Sequence, residues 1–222
     1  FADQAYCYSH DPGIPGRFAV FDATADWDFV TDSYPSRESY SVYGQTTYSF
    51  TDTFRLVSGL RYSEDTFTTD VTNFFNVESF QEEGTSDEIT SRITGEFDVA
   101  DSTMVYLTFS KGFKPGGSNL TFGFTDDNAP PMVFPTFEAE TVDSTEIGIK
   151  TDLLNGQARV NVAAFLYDYE NLQFQATDPD PYRGGVANIP ESEMSGVEIE
   201  FTGLISDSIT FDMNLAFLDS EV

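Results

Sequence analysis

Several segments of this chain alternate apolar and polar residues with a period of two, and the connections between them are by turns very short and very long. Successive side chains of a strand point to opposite sides, so the first property demands a sheet with one greasy face. From Ile89 to Phe97, Ile89, Ile93 and Phe97 oppose Thr90, Arg92, Thr94 and Glu96. Ile147, Ile149 and Leu153 oppose Glu146, Lys150 and Asp152, and Val197, Ile199 and Phe201 oppose Glu198, Glu200 and Thr202. Ile209, Phe211, Met213, Leu215 and Phe217 oppose Thr210, Asp212 and Asn214. A slip of one residue would turn Glu146 and Lys150 to the greasy side, so the pattern fixes its own register.

Thr51-Asp52-Thr53, Ala100-Asp101-Ser102, Asn155-Gly156 and Ser206-Asp207 read as tight reversals, whereas the stretches around 66–86, 114–138 and 175–189 are long, acidic and rich in Gly, Pro and aromatics. Barrels of the outer-membrane type have this asymmetry, with short periplasmic turns and long external loops. Further strands are expected at about 37–50, 54–66, 103–113 and 157–174. The fold class is therefore all-β: an antiparallel meander of about eight strands forming part of a large transmembrane β-barrel. Met104, Val105, Tyr106 and Leu107 are apolar on both faces, which leaves the lipid and lumen sides of that strand unassigned. A soluble sandwich would alternate in the same way. Residues 157–174, however, read as one strand far longer than the five or six residues usual in globular sheets, which suits a tall, tilted wall.

Composition removes other classes. Ten basic residues against 38 acidic ones give a formal charge of -28, which repels nucleic acid. The 22 Phe and 11 Tyr supply apolar surface that an acidic disordered chain lacks. Cys7 and His10 are the only residues of their kinds, so neither an intrachain disulfide nor the usual zinc sets can be assembled, and a Ser-His-Asp triad would have to pass through that one histidine. No enzymatic activity, cofactor or bound metal is expected. No run of about 18 apolar residues is present, so any crossing of a membrane falls to strands. Phe1-Ala2-Asp3-Gln4 has no signal-peptide character, and the chain is expected to be an internal or processed stretch.

Ordered motifs add a family. Gly59-Leu60-Arg61-Tyr62 is followed by Val105-Tyr106-Leu107-Thr108-Phe109-Ser110-Lys111-Gly112-Phe113-Lys114-Pro115-Gly116-Gly117-Ser118-Asn119. Next come Glu138-Ala139-Glu140-Thr141-Val142 with Glu146-Ile147-Gly148-Ile149-Lys150, then Ala164-Phe165-Leu166-Tyr167-Asp168-Tyr169-Glu170-Asn171-Leu172-Gln173, and Ser195-Gly196-Val197-Glu198-Ile199-Glu200. This series, over about residues 38–222, resembles the barrel of TonB-dependent outer-membrane receptors. The resemblance implies a 22-stranded barrel in the outer membrane of a Gram-negative bacterium, closed by a separate N-terminal plug. It also implies an inner-membrane energy-transducing TonB complex as partner, and import of a scarce nutrient such as a ferric siderophore or similar chelated metal. Residues 1–36 would be an external loop region and 37–222 a partial barrel, the plug and energy-coupling box being absent from the stretch. A passive porin and a surface β-sheet adhesion module are the alternatives.

Recognition would fall to external loops and strand tops. Phe122, Phe124, Phe134 and Phe137 follow Phe113 in one long connection, and Phe74, Phe75 and Phe80 lie in another. Such aromatics clasp an apolar or planar ligand, pack on one another, or belong to the aromatic girdle of the barrel. Lys111, Lys114 and Arg183 are rare cations in an acidic chain, open either to an anionic ligand or to a neighbouring carboxylate. Lys114-Pro115-Gly116-Gly117 reads as a strand-to-loop bend. Asp126-Asp127-Asn128, Asp178-Pro179-Asp180 and the Glu82, Glu83, Asp87, Glu88 group read as solvated charge.

Overall fold

The computed structural model describes residues 17–21, 28–73, 78–119, 136–176, 185–206 and 208–222. Eleven strands form: β1 (Arg17–Phe21), β2 (Asp28–Ser49), β3 (Phe54–Asn73), β4 (Glu78–Ala100), β5 (Thr103–Lys114), β6 (Gly117–Ser118), β7 (Thr136–Phe137), β8 (Glu140–Leu153), β9 (Ala158–Ala176), β10 (Gly185–Ser206) and β11 (Ile209–Glu221). Nine make one antiparallel sheet in the order β1-β2-β3-β4-β5-β8-β9-β10-β11, and β6 pairs with β7 beside it. Setting aside the five-residue β1, eight long strands follow one another as a meander.

The four expected reversals all fall between consecutive strands, on one edge of the sheet. At the first, the Thr51 hydroxyl accepts from the backbone N–H groups of Thr53 and Phe54, replacing ladder partners the bend removes. At the third, Asn155 and Gly156 adopt positive φ, which these two residue types tolerate best.

The opposite edge differs from expectation. β2, β3, β4, β9 and β10 run for 19–23 residues, about twice what a tilted strand needs to cross hydrocarbon. The stretch 66–86 is therefore not mainly loop: β3 and β4 stay paired up to Asn73↔Glu78. Above the membrane the outer face is no longer held to apolar residues: Thr66, Thr68 and Asp70 stand there while Asp65, Phe67 and Thr69 are buried on the inner face, and the ladder persists. Pro35 and Pro190 sit in these upper reaches, where each strand has a single paired neighbour, and Pro190 coincides with a missing pair in the β9–β10 ladder.

Register carries the greasy positions into continuous rows. One row runs Tyr48, Leu56, Gly95, Leu107, Ile147, Ala164, Val197, Phe217; the next runs Phe54, Phe97, Val105, Ile149, Val162, Ile199, Leu215. β5 is thereby resolved: Val105, Leu107 and Phe109 face out, Met104, Tyr106 and Thr108 face in. Leu60, Ile147 and Phe217 are each about 60% exposed, with no second layer over them among the described residues.

Side chains crowd instead on the polar face, as convergence on a concave side requires. Thr94 and Thr108 are buried there with their hydroxyls 2.9 Å apart, and Phe165 and Phe67 are buried on the same face. Arg55 forks onto Asp98 at 2.6 and 3.2 Å and reaches Glu96 at 3.0 Å, a bidentate geometry suited to guanidinium. Gly148 lies flat beneath the Tyr106 ring and Gly196 beneath Phe165; a Cβ at either would come within 2.5 to 2.8 Å of a ring atom.

Ile147→Arg, in the middle of the apolar band, should cost about 2–4 kcal/mol in the urea unfolding of the parent receptor from lipid vesicles. Ser144→Arg, on the concave face, should cost less than half of that. Equal costs would contradict the assignment of faces.

Candidate ligand-facing site at the external mouth

The β4–β5 ladder stops at Arg92↔Ser110, although β4 climbs on beside β3 and β5 beside β8. Above that pair the wall is split. Chain leaving β5 bridges the split on the concave side: Pro115–Asn119 folds inward, and Thr136–Ala139 returns along it through the pairs Gly117↔Phe137 and Ser118↔Thr136. These two pieces form a strap.

Backbone that leaves a ladder must find other partners. Polar side chains on the concave face of the upper strands supply them. On one side Arg37 Nη2 donates to Gly116 O at 2.7 Å, Gly116 N donates to Ser86 Oγ at 3.2 Å, and the Thr69 and Ser118 hydroxyls lie 2.6 Å apart. On the other, Asn119 exchanges two bonds with the Val186 backbone, at 2.9 and 2.7 Å. Asn188 accepts from Glu138 N at 2.7 Å and donates to the carbonyls of Glu138 and Asn171 at 3.0 and 2.8 Å. Gln173 Nε2 donates to Pro115 O at 2.9 Å and Glu138 O at 3.1 Å. Planar amides and guanidinium suit this work because each serves several backbone groups at once.

Arg37 joins strap to wall. Its Nε lies 3.3 Å from Oδ1 of the buried Asp65, which also accepts from the Ser39 hydroxyl. A Cβ on Gly116 would stand 2.5 Å from Phe137 O, and one on Gly117 2.7 Å from Phe137 Cζ. Gly116-Gly117 thus serves close approach of two chain segments as well as the bend.

Lys111 and Lys114 lie at the upper end of β5 and Phe137 within the strap; by the alternation of β5, Lys111 shares the face of Leu107 and Phe109 and Lys114 that of Tyr106 and Thr108. Lys111 Nζ crosses the split to Glu88 Oε1 at 3.1 Å. Lys114 Nζ is 3.9 Å from Glu140 Oε2, which also accepts from Gln173 N at 2.7 Å, and the lysine side chain is 58% exposed. Phe137 packs its ring against Gly117. Phe122, Phe124, Phe134 and Arg183 lie outside the described residues, as do Phe74, Phe75 and the two Asp-rich loop motifs. Among the described residues no group of three or more His, Cys, Asp or Glu is placed to hold a metal ion.

Arg37, Asp65, Gln173 and Asn188 carry the strap, and the sequence did not single them out. Their only local signal is position on the polar face above the apolar band; the partners of Arg37 and Asn188 in the strap are 79 and 50 residues away.

A family model described as "TonB dependent receptor-like, beta-barrel" matches residues 3–222. The chain belongs to this family. TonB-dependent receptor barrels lie in the outer membrane of Gram-negative bacteria, and so does this one. Among curated relatives, the probable TonB-dependent siderophore receptor PiuA of Acinetobacter baumannii is 27% identical over 187 residues, 83% of this chain and 24% of that protein. The ferrioxamine B receptor of Salmonella typhimurium is 25% identical over 224 residues, 95% of this chain and 28% of that protein. The chain thus spans about a quarter of the length of these relatives. The crystal structure of the ferric yersiniabactin uptake receptor FyuA of Yersinia pestis superposes with a TM-score of 0.74 at 21% identity, covering 92% of this chain and 30% of that one. Such a likeness shows the barrel fold.

Arg37→Ala removes the charge-assisted anchor of the strap, a loss of about 1.5–3 kcal/mol. Amide exchange of a peptide covering residues 115–119 in the parent receptor should accelerate at least about tenfold. Unchanged exchange there would contradict the anchoring role.

Proposed function

We propose that this chain is barrel wall and external mouth of an energy-coupled receptor that imports a ferric siderophore or a similar chelated metal. The observation that carries the reading is the strap, which holds a long connection inside the mouth of a lipid-facing wall by at least eight side-chain hydrogen bonds. A surface held so firmly suits recognition of a ligand better than free diffusion through an open pore. Receptors for siderophores among the relatives support the same class of ligand.

In this reading residues 1–36 belong to the external region and 37–222 to the barrel, with outer-membrane lipid against the apolar rows. The plug and the contact with the inner-membrane TonB complex come from other parts of the receptor. Lys111, Lys114, Phe137 and Arg183, with Phe122, Phe124 and Phe134, remain the candidate ligand contacts. Lys114 is the more available of the two described lysines, being the more exposed and the more loosely paired. The role is binding and transport, not catalysis.

Deleting the gene should abolish uptake of radiolabelled iron from at least one ferric siderophore under iron limitation. That uptake should also vanish when the inner-membrane energy transducer is inactivated. Solute flux that survives loss of the transducer would indicate a passive pore and overturn the proposal.

A further inference from the structure

Most cations of the described wall already have a carboxylate: Arg37, Arg55, Lys111, Lys114 and Arg159 each stand in an ion pair, and Lys150 lies over the Tyr106 ring. Arg61 and Arg92 do not. Among the described residues the sole polar contact of Arg61 runs from Nε to Ser63 Oγ at 3.0 Å, and that of Arg92 from Nε to Thr94 Oγ1 at 3.3 Å. In each case a hydroxyl two residues along the same face fixes Nε and leaves both terminal nitrogens free. Arg61 faces Thr90 in the ladder and Arg92 faces Gly59, so the two exposed guanidiniums are diagonal neighbours on the concave face. Adjacent like charges are unfavourable. In a chain of net charge -28, two such cations without a counter-ion mark a local reversal of potential.

Arg61 also lines a pocket directly below the strap, together with Ser41, Ser63, Thr90, Gly112 and Pro115. The hydroxyls of Ser41 and Thr90 have no partner among the described residues. The carboxylate of Asp65 in this pocket is engaged by Arg37 and Ser39, and that of Glu64 accepts from the Tyr62 hydroxyl at 2.8 Å. What remains open is a set of donors: a guanidinium fork and two hydroxyls, a geometry that matches two oxygens of a planar anion.

We infer that Arg61, with Ser41 and Thr90, receives a carboxylate-like oxyanion of a small-molecule ligand in the pocket beneath the strap. The inference rests on the receptor reading above and adds the chemistry of one ligand group. A carboxylate from elsewhere in the receptor would present the same chemistry, and the test separates the two sources.

The purified parent receptor in detergent is treated with phenylglyoxal, and modification of each arginine is followed by mass spectrometry, with citrate as the oxyanion probe and mannitol as its uncharged control. Arg61 should react at least about tenfold faster than the ion-paired Arg55, and citrate at about 10 mM should slow Arg61 several-fold where mannitol does not, since a bound oxyanion occupies the free guanidinium edge. Arg92, which does not line this pocket but shares the adjoining one with Arg61, Ser110 and Lys111, should be protected clearly less than Arg61. Three outcomes overturn the inference. Arg61 as unreactive as Arg55 without citrate would mean that the receptor's own carboxylate fills the site. Fast reaction without protection would mean that no oxyanion binds. Equal protection of Arg61 and Arg92 would mean general charge screening only. Each can occur while energised iron uptake by the receptor stands, so the pocket and the transport reading fail separately.

Discussion

A backbone N–H or C=O in hydrocarbon has no water to turn to, and this requirement shapes everything else in the chain. It forces the spanning segments into one antiparallel sheet, β2 to β5 continued by β8 to β11, and it makes tight reversals sufficient at the periplasmic edge. It also frees the outer side chains from any need for a protein partner. Phe67, Ala158 and Phe165 are the buried hydrophobic residues among those described, far fewer than a soluble sheet of this size needs to hold its layers together. Cohesion comes from the ladders and from cross-strand contacts on the concave face: the Arg55 fork on Glu96 and Asp98, the hydroxyl pair Thr94–Thr108, the Tyr106–Glu146 bond at 2.6 Å and the stacked rings of Phe165 and Tyr167.

The same requirement relaxes above the membrane, and the mouth exploits that freedom. The β4–β5 ladder can end at Arg92↔Ser110 because water is available beyond it. The split lets chain from β5 turn inward, where Arg37, Ser86, Gln173, Asn119 and Asn188 replace the lost ladder with side-chain bonds. β9 adapts locally: Asn171 takes a positive φ opposite Pro190, where one pair of the β9–β10 ladder is missing while the register continues on both sides, and its carbonyl accepts from Asn188. The result is a fixed ledge over a concave face on which Arg61 and Arg92 have no carboxylate partner among the described residues.

Much of the wall was legible in the sequence because hydrocarbon imposes a period. Ile147, Ile149, Glu146 and Lys150 declare their faces by alternation alone, and the four short reversals sit where Asp, Asn, Gly, Ser and Thr concentrate. The upper strands were not legible for the complementary reason: beyond the hydrocarbon the outer face is polar too, so Thr66, Thr68 and Asp70, opposed to the buried Asp65, Phe67 and Thr69, carry no apolar alternation that distinguishes strand from loop. β5 was ambiguous because Tyr106 is an aromatic on the lumen side, tolerated where its hydroxyl reaches Glu146 and its ring lies over Gly148. Of the site, Lys111, Lys114 and Phe137 were visible as rare cations and a loop aromatic. Arg37 and Asn188 were hidden, since their roles depend on backbone groups far away in sequence.

The central claim is that alternate side chains of these strands touch lipid tails. Nitroxide accessibility along β5 tests it most directly, with single cysteines introduced at positions 104–109 of a Cys7→Ser parent receptor in lipid vesicles. Collisions with oxygen, concentrated in hydrocarbon, should peak at 105, 107 and 109, and collisions with a water-soluble nickel chelate should peak at the even positions or be low at all six. Odd positions shielded from oxygen, or oxygen collisions without alternation over the six positions, would place another protein layer where this account places the membrane.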